Sequence, residues 1–512
     1  MYLMGVDIGT TGCKAIIFSA EGRVISSVYG EYRLLHRRPE WSELDAEEVW
    51  ATVVKVVRAS VQGAKVEPKA IVALSTSVLG EAFIPIDREG KPLYGSMTTF
   101  DARAEVQTAR WEENFGAERM FQITGQPLAR TIPIYTLQKI QWIKEYEPAV
   151  YRKAFKFLCW EDYANMKLCG NPVIDYSVAS RTMMFDIRKK QWSREILDTA
   201  GLDEEILPEV APSGKVVGEV TTEAAEVTGL AKGTLVVTGG HDQPCGALGV
   251  GLLSSGPVMD ATGTVECVAV VQDELTLTDA MRRQGFSVQS YVMPERYLLF
   301  GFNPNGGVVL RWFRDNFAQV EREAAKAKGL DVYDILMEEA GKAAPGAMKL
   351  FLLPFFEGSG CPNFNRQARG VLLGLTLAQS RGEVIRAFVE GLTFEFRNIL
   401  EAIGGHGIRV TELRAIGGGA KSRFWLQLKA DVTGRKVVAP DVTEAAALGA
   451  AILAGVAAKT YTSMENAVKT VYREKAVYTA NEATQSIYEK HYGVYKKLHP
   501  ALNQLFKELE NL

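Results

Sequence analysis

Two segments of this chain follow one plan, and that repetition limits the folds open to it more than any other feature. Met1–Ser19 reads MYLMGVDIGTTGCKAIIFS: an apolar run ending at Asp7, a Gly-Thr-Thr-Gly turn, and a second apolar run, Ala15–Phe18. Gly256–Val271 reads GPVMDATGTVECVAVV: an apolar lead-in, Asp260, a Thr-Gly-Thr turn, and the apolar run Cys267–Val271. Apolar runs joined by a Gly/Thr turn predict β-hairpins. Two hairpins of one kind about 250 residues apart predict a duplicated domain, with coincidence as the alternative. At roughly 100–200 residues per domain, the 512-residue chain could hold two to four. The duplication narrows this to two lobes, 1–250 and 251–512, with the Gly-rich stretch Gly246–Gly256 as the natural hinge.

Helical and extended periods alternate in both halves. Asp45 and Glu48 resemble a capping box ahead of Val49, Trp50, Val53, Val54 and Val57. Ser380 and Glu383 repeat the device ahead of Val384, Ile385, Phe388, Val389 and Leu392, with Gly404–Gly405 as the stop. Strands are expected at Ala70–Ser75, Thr234–Thr238, Leu350–Leu353 and Arg414–Ile416, and a helix in Ala480–Leu512. Strands alternating with helices make the fold class α/β.

Composition removes several classes of function. With 58 basic and 61 acidic residues the net charge is -3, so no basic excess exists to track nucleic-acid phosphates. The uncharged stretch from Gln243 to Met259 is broken by Pro244, Gly246, Gly249, Gly251, Gly256 and Pro257, which suits turns better than a membrane-spanning helix. Met1–Asp7 lacks the basic and long apolar regions of a secretion signal. The six cysteines are scattered with no C-x-x-C pair, so neither a metal cluster nor a disulfide framework is expected, and the cytoplasm is the expected location.

Four polar, Gly-rich turns that follow apolar strands carry the chemistry. Asp7–Thr11 places a carboxylate beside a phosphate-sized turn, suited to Mg²⁺ held through water; a structural Asp-x-Gly turn is the alternative. Thr262–Val265 offers the Gly263 and Thr264 amides and the Thr264 hydroxyl to phosphate oxygens, or is a plain hairpin turn. Gly417-Gly418-Gly419 leads into a helix near Ser422, where glycines let a ligand approach backbone donors. No G-x-G-x-x-G or G-x-x-x-x-G-K-[ST] sequence occurs, so the Rossmann and Walker readings fail. Thr238–Gly246, TGGHDQPCG, sets Asp242 at a strand end, where an ionised carboxylate can accept a proton from an attacking hydroxyl. There the alternatives are an Asx turn for Asp242, a turn histidine for His241 and a packed small residue for Cys245.

Together these turns resemble the FGGY family of carbohydrate kinases. The motifs are DIGTTGCK at Asp7–Lys14, GGHDQPCGALG at Gly239–Gly249, ATGT at Ala261–Thr264 and PNGGVVLRWF at Pro304–Phe313. They continue with ARGVLLGLT at Ala368–Thr376, RAFVEG at Arg386–Gly391, GGGAKSRFW at Gly417–Trp425 and EAAALGAAILAG at Glu444–Gly455. The resemblance implies two actin-like (ribonuclease H-like) domains flanking a cleft, sugar held mainly by the first and ATP by the second. Asp242 matches the catalytic base and Gln243 a sugar contact. Asp7 matches the Mg²⁺-linked carboxylate, with Thr10 and Thr11 near the phosphates and Gly263–Thr264 as a phosphate contact. Gly306 and Gly307 match a loop beside the nucleotide, and Gly418, Gly419 and Ser422 the adenosine pocket.

The sugar side departs from the family pattern. Where members carry Met-His-Gly or Arg-Glu-Thr, this chain reads Leu79-Gly80-Glu81-Ala82, so Gly80 and Glu81 are the expected sugar contacts. The Trp that precedes the family's Asp-x-Arg segment is replaced in Thr98-Thr99-Phe100-Asp101-Ala102-Arg103, and Asp101 is expected to line the pocket or buttress it. Pro39–Asp45, PEWSELD, matches a Trp-containing loop of xylulose-kinase-like members. The expected reaction is transfer of the γ-phosphoryl group of ATP, with Mg²⁺, to a ketopentose such as xylulose or a deoxyketose such as fuculose. A polyol or sugar acid is the alternative acceptor. An actin-like ATPase and a non-catalytic sugar-responsive regulator are rivals of other classes. Expected partners are the sugar and ATP, with no nucleic acid or membrane, and a homodimer is allowed.

Overall fold

The computed structural model describes residues 1–510. The first sheet is built from β1 (Tyr2–Ile8), β2 (Gly12–Ser19), β3 (Val24–Glu31), β4 (Ile71–Val78), β5 (Val216–Glu219) and β6 (Leu235–His241). Its order is β5-β6-β4-β1-β2-β3. The second contains β7 (Pro257–Thr262), β8 (Glu266–Gln272), β9 (Ser287–Ser290), β10 (Tyr297–Asn303), β11 (Glu412–Gly417), β12 (Lys436–Pro440) and β13 (Glu474–Tyr478). Its order is β9-β10-β8-β7-β11-β12-β13.

The two predicted hairpins are the centres of these sheets. β1 pairs antiparallel with β2 and parallel with β4; β7 pairs antiparallel with β8 and parallel with β11. The core β3-β2-β1-β4-β6 is therefore repeated as β10-β8-β7-β11-β12. Parallel neighbours need crossovers. α1 (Ala46–Ala64) supplies one before β4, α4 (Arg381–Gly405) another before β11, and α5 (Arg423–Thr433) a third before β12. Two short strands ahead of α1, Leu34–Leu35 and Glu43–Leu44, join three that follow β4, Phe83–Ile86, Ser96–Met97 and Lys156–Cys159, in a separate five-stranded sheet.

Local chemistry sets the helix ends much as the sequence predicts. Asp45 accepts from the Glu47 and Glu48 amides at 2.9 and 3.1 Å. Ser380 and Glu383 form a reciprocal box, and α4 stops at Gly405. The expected strand ends move: β4 continues to Val78 because Thr76, Ser77 and Val78 stay in the ladder with β1. β6 likewise runs through Gly239 and Gly240 to His241. The expected C-terminal helix is α7 (Glu482–Glu510), which buries Tyr488, Tyr492, Tyr495 and Phe506; residues 511–512 lie outside the described residues.

The region read as a hinge is built otherwise. Gly246–Gly249 belong to α2 (Asp242–Gly249), packed against α6 (Ala445–Ala457). A Cβ on Gly249 would stand 1.9 Å from the Ala445 carbonyl oxygen, and one on Gly449 1.9 Å from that of Cys245. Gly5 of β1 meets the Ala447 carbonyl in the same way. These glycines serve close backbone approach. α6, from the second half of the chain, lies on the first sheet and shares one core with Leu3, Ile16, Ala73, Val237, Leu248 and Met259.

Gly449→Ala therefore forces backbone apart, at a cost of about 1–3 kcal/mol or more, and lowers Tm. Gly493→Ala in α7, where a Cβ meets nothing within 4 Å, leaves Tm unchanged or raises it through helix propensity. Parallel thermal melts of the two variants check both outcomes.

Candidate active site

The ends of β1, β4 and β6 and the starts of α2 and α6 converge on one floor. Asp7, one residue before the end of β1, accepts from the Ser77 hydroxyl of β4 at 2.9 Å. Across the hairpin from it, Lys14 donates to both carboxylate oxygens of Glu444, the N-cap residue of α6, at 2.7 Å. Asp242 opens α2, so the predicted turn is a direct strand-to-helix passage. His241 is buried, and its Nε2 lies 3.0 Å from Asp242 Oδ1. Burial, with the Arg181 charge in support, holds the imidazole well below its usual pKa and therefore neutral. Gly80 is small for a reason: a Cβ there would sit 3.0 Å from His241 Nε2.

Charge is concentrated on this floor. Desolvation, and then the neighbouring carboxylates Asp7 and Glu81, push Asp242 up to about 7, although 38% of its side chain remains accessible. Desolvation also lifts Asp7 to about 6, against the hydrogen bond from Ser77. Asp7 and Glu81 both stand near enough to Asp242 to raise it. Gln243 adds a buried Oε1 with no hydrogen-bond partner.

Glu81 is held in a left-handed backbone conformation, φ 60°, which a side chain rarely adopts. Thr136 Oγ1 donates to its carbonyl at 2.9 Å, and Thr99 Oγ1 to its Oε2 at 2.7 Å. Arg181 Nε donates to its Oε1 at 2.6 Å, with Nη2 completing the fork. Arg181 also reaches Gln126 Oε1 at 2.7 Å and Ser287 Oγ of β9 at 3.3 Å, so it ties this wall to the second sheet. Strain of this kind persists only where surrounding contacts over-determine it, as these do.

Asp101 corrects the expectation of a direct substrate contact. It is fully buried, and its oxygens accept from the Ser42 amide at 2.7 Å and from Arg103 at 2.8 and 2.6 Å. Arg103 in turn lies 3.6 Å over the Trp41 ring and pairs with Glu43. Asp101 thus pins the Pro39–Asp45 loop, the buttressing alternative.

The first turn, Thr10–Thr11, is half-exposed and clasped from β3's end by the Tyr32 hydroxyl, which donates to the Gly9 and Gly12 carbonyls. The Thr262–Val265 turn faces α3 (Gly307–Phe317): Gly307 N donates to Gly263 O at 2.8 Å and Val308 N to Thr264 O at 3.0 Å. The glycines at 306 and 307 are required by this packing, since a Cβ would meet Val265 or Gly263 backbone within 2.7 Å. Gly417 (φ 82°) and Gly419 fold against Thr262, whereas Gly418 is open. Ser422 caps α5, accepting from Trp425 N at 3.2 Å. So the structure brings the Thr262–Val265 and Gly417–Gly419 turns and the Gly306–Gly307 loop together.

Comparison with known proteins now decides the family. Residues 2–249 match the N-terminal domain of the FGGY family of carbohydrate kinases, and residues 259–458 match its C-terminal domain. The chain belongs to that family. It is 28% identical to a xylulose kinase of Bacillus subtilis (strain 168) over 510 residues, covering 100% of this chain and 99% of that protein. It is 32% identical to a gluconokinase of the same organism over 459 residues, covering 88% and 86%. The fold matches a ligand-bound xylulose kinase from Lactobacillus acidophilus with TM-score 0.90 at 24% identity, over 99% of both chains. As an FGGY kinase the protein is an ATP-dependent sugar kinase with two actin-like α/β domains, as the sequence predicts.

Sequence reasoning missed Arg181, Tyr32, Ser77, Lys14 and Glu444 as parts of this site. Lys14 and Glu444 lie at the edges of quoted motifs, but their pairing spans 430 positions. No local signal marks the other three.

Because Asp7 and Asp242 have folded pKa values above the ordinary 3.8, their ionisation opposes folding. Asp7→Asn and Asp242→Asn should each raise the Tm of the ligand-free enzyme at pH 8. The gain should shrink as pH falls through 7 and 6, where the native carboxylates take up protons, and be smallest near pH 4. Melts across that range check the sign.

Proposed function

We propose that this kinase phosphorylates a hydroxyl of an uncharged ketose, a ketopentose such as xylulose or a deoxyketose such as fuculose. The carrying observation is the carboxylate surplus around the pocket: Asp7, Glu81, Asp242 and Glu444 stand with three cations that are already engaged, Arg181 by Glu81, Lys14 by Glu444 and Lys139 by the Thr98 carbonyl. A sugar acid would bring a further negative charge into that space, whereas hydroxyls find acceptors there. Glu81 and the unpartnered Gln243 Oε1 bind the sugar beside Gly80. Asp101 shapes the wall behind them. Residues 1–250 form the sugar side and 251–512 the ATP side.

Asp242 is the general base. A carboxylate titrating near neutrality is matched to taking a proton from a sugar hydroxyl. The hydroxyl oxygen forms its bond to the γ-phosphorus as the bond to the β–γ bridging oxygen breaks, and ADP leaves with that electron pair. Neutral His241 packs beside the Asp242 carboxylate, its Nε2 3.0 Å from Oδ1. Thr264 and the Gly263 turn amide hold phosphate oxygens, with Thr10 and Thr11 opposite them. Gly306 and Gly307 support that turn, and Gly418, Gly419 and Ser422 border the adenosine.

The floor also fits a hard divalent cation: its donors are carboxylate and hydroxyl oxygens, and burial leaves Asp7 short of compensating charge. When bound with ATP, Mg²⁺ beside Asp7 would offset phosphate charge. A cytoplasmic location suits six cysteines that are all free, five of them buried. Among the described residues no helix is long and apolar enough to cross a membrane. A homodimer completes the proposal, and light scattering checks it.

Asp242→Asn should keep sugar and ATP binding while kcat falls about 10²- to 10⁴-fold; turnover near that of the parent removes Asp242 from the chemistry. Glu81→Ala should raise the sugar KM about tenfold or more through loss of charged hydrogen bonds, with ATP KM unchanged. An ADP-release panel of ketopentoses, deoxyketoses, polyols and aldonates tests the substrate class. Aldonates outrunning every neutral acceptor would reverse the charge reading.

A further inference from the structure

β6 does not reach Asp242 as a regular strand. Against β4 it pairs Val237 with Ser75 but Gly240 with Ser77, three steps on one strand for two on the other. One residue is therefore extra, a β-bulge. Because side chains alternate along a strand, one inserted residue turns everything after it to the opposite face. The bulge decides which way the chain carries His241 and Asp242. It must be glycine: a Cβ on Gly239 would stand 1.7 Å from the Thr76 carbonyl oxygen.

A bulge this deep leaves backbone donors that no ladder satisfies. Two buried side chains from outside the sheet, Glu161 and Ser177, take them, and a third, Asp175, ties those two together. Glu161, in the helix Trp160–Cys169, accepts from Gly239 N through Oε1 at 2.7 Å. Its Oε2 accepts from Asp175 N, also at 2.7 Å. Ser177 Oγ accepts from His241 N at 2.9 Å and donates to Asp175 Oδ1 at 3.0 Å. Asp175 also accepts from Ser177 N, Val178 N and the Ser213 hydroxyl at 2.8, 2.8 and 2.6 Å. Glu161, Asp175 and Ser177 are all fully buried. The sequence gives none of them a role.

We propose that Glu161, Asp175 and Ser177 form a positioning network that holds the bulged end of β6 and thereby aims Asp242 at the acceptor hydroxyl. They touch neither substrate nor reacting atoms; they act through the amides of Gly239 and His241. The inference rests on the reading of Asp242 as general base. Structural burial alone would account for a buried carboxylate, but not for its two oxygens being divided between the bulge and the next support. Nor would it account for a second support meeting the amide two residues on.

Ser177→Ala deletes one oxygen and leaves the packing. Glu161→Gln keeps the shape but turns an amide donor toward one of the two backbone N–H groups. Thr228→Ala is the control: its buried hydroxyl bonds to Ala224 O within the same lobe, away from β6's end. The steady-state kinetics and Tm of the full-length enzyme are compared, using the acceptor that gives the highest turnover. Misplacing a base by a fraction of its reach should lower kcat about 10- to 100-fold in both test variants. ATP KM should stay within about twofold, and sugar KM should move less than kcat. The control should lose Tm alone.

A kcat within about twofold of the parent in Ser177→Ala, or a loss confined to sugar KM, overturns the proposal. If Glu161→Gln does not fold, Ser177→Ala decides. Asp242→Asn separates the two readings. If it loses turnover while Ser177→Ala keeps it, only the network fails; if Asp242→Asn itself keeps turnover, the base assignment fails first.

Discussion

Everything at the catalytic floor depends on two helices crossing where they have no side chains. Packed helices ordinarily keep about 8–10 Å between axes because side chains fill the space. At the α2–α6 crossing, Gly249 and Gly449 each face the partner's carbonyl oxygen, so backbone meets backbone. Both helices begin at the cleft, one with Asp242 and the other capped by Glu444. Their separation therefore sets how near the carboxylate of one half stands to the Lys14–Glu444 pair that joins the halves. Any side chain at the crossing would splay the two N-termini. The glycine-rich sequence here is thus an instrument of proximity rather than of flexibility.

The duplicated hairpins share geometry and differ in charge. Asp7 is the last residue but one in the β1 ladder, and Ala261 holds that place in β7. The second hairpin's own carboxylate, Asp260, is one residue earlier and buried. There Lys429 of α5 donates to it at 2.5 Å, to Thr262 at 2.7 Å and to Glu266 at 3.1 Å. Asp260 and Glu266 of the second hairpin thus share one buried cation, Lys429, whereas under the proposed function it is Asp7 of the first that faces the metal. The second is left with backbone amides and hydroxyls, the groups that suit phosphate oxygens. Lys429 also fastens the turn to the helix that Ser422 caps.

The fold was largely legible because its signals are local. Apolar runs around Gly/Thr turns gave both hairpins, and Ser380–Glu383 and Gly405 bracketed α4. The floor carboxylates Asp7 and Asp242 were legible because strand ends advertise them. What could not be read depends on distant pairing. The bulge in β6 exists only against β4, so TGGHD looked like a turn. Asp101 looked like a pocket residue because its partners, Ser42 and Arg103, are visible as partners only after the Pro39–Asp45 loop folds over them. Gly246–Gly249 looked flexible because the sequence does not show the carbonyls that glycines are approaching.

The placement of α6 has a consequence for biosynthesis. This helix comes from residues 445–457 yet covers the first sheet beside Leu3, Ile16, Ala73 and Val237. The amino-terminal lobe therefore closes one core from its own sequence but leaves the other face of its sheet to a helix made much later. It waits on the ribosome with an apolar face bare until most of the polypeptide has been made, and contacts of such sequence separation form late. The nascent chain should be a client for holding factors over nearly its whole synthesis. A break before residue 445 would leave that face of the first sheet uncovered.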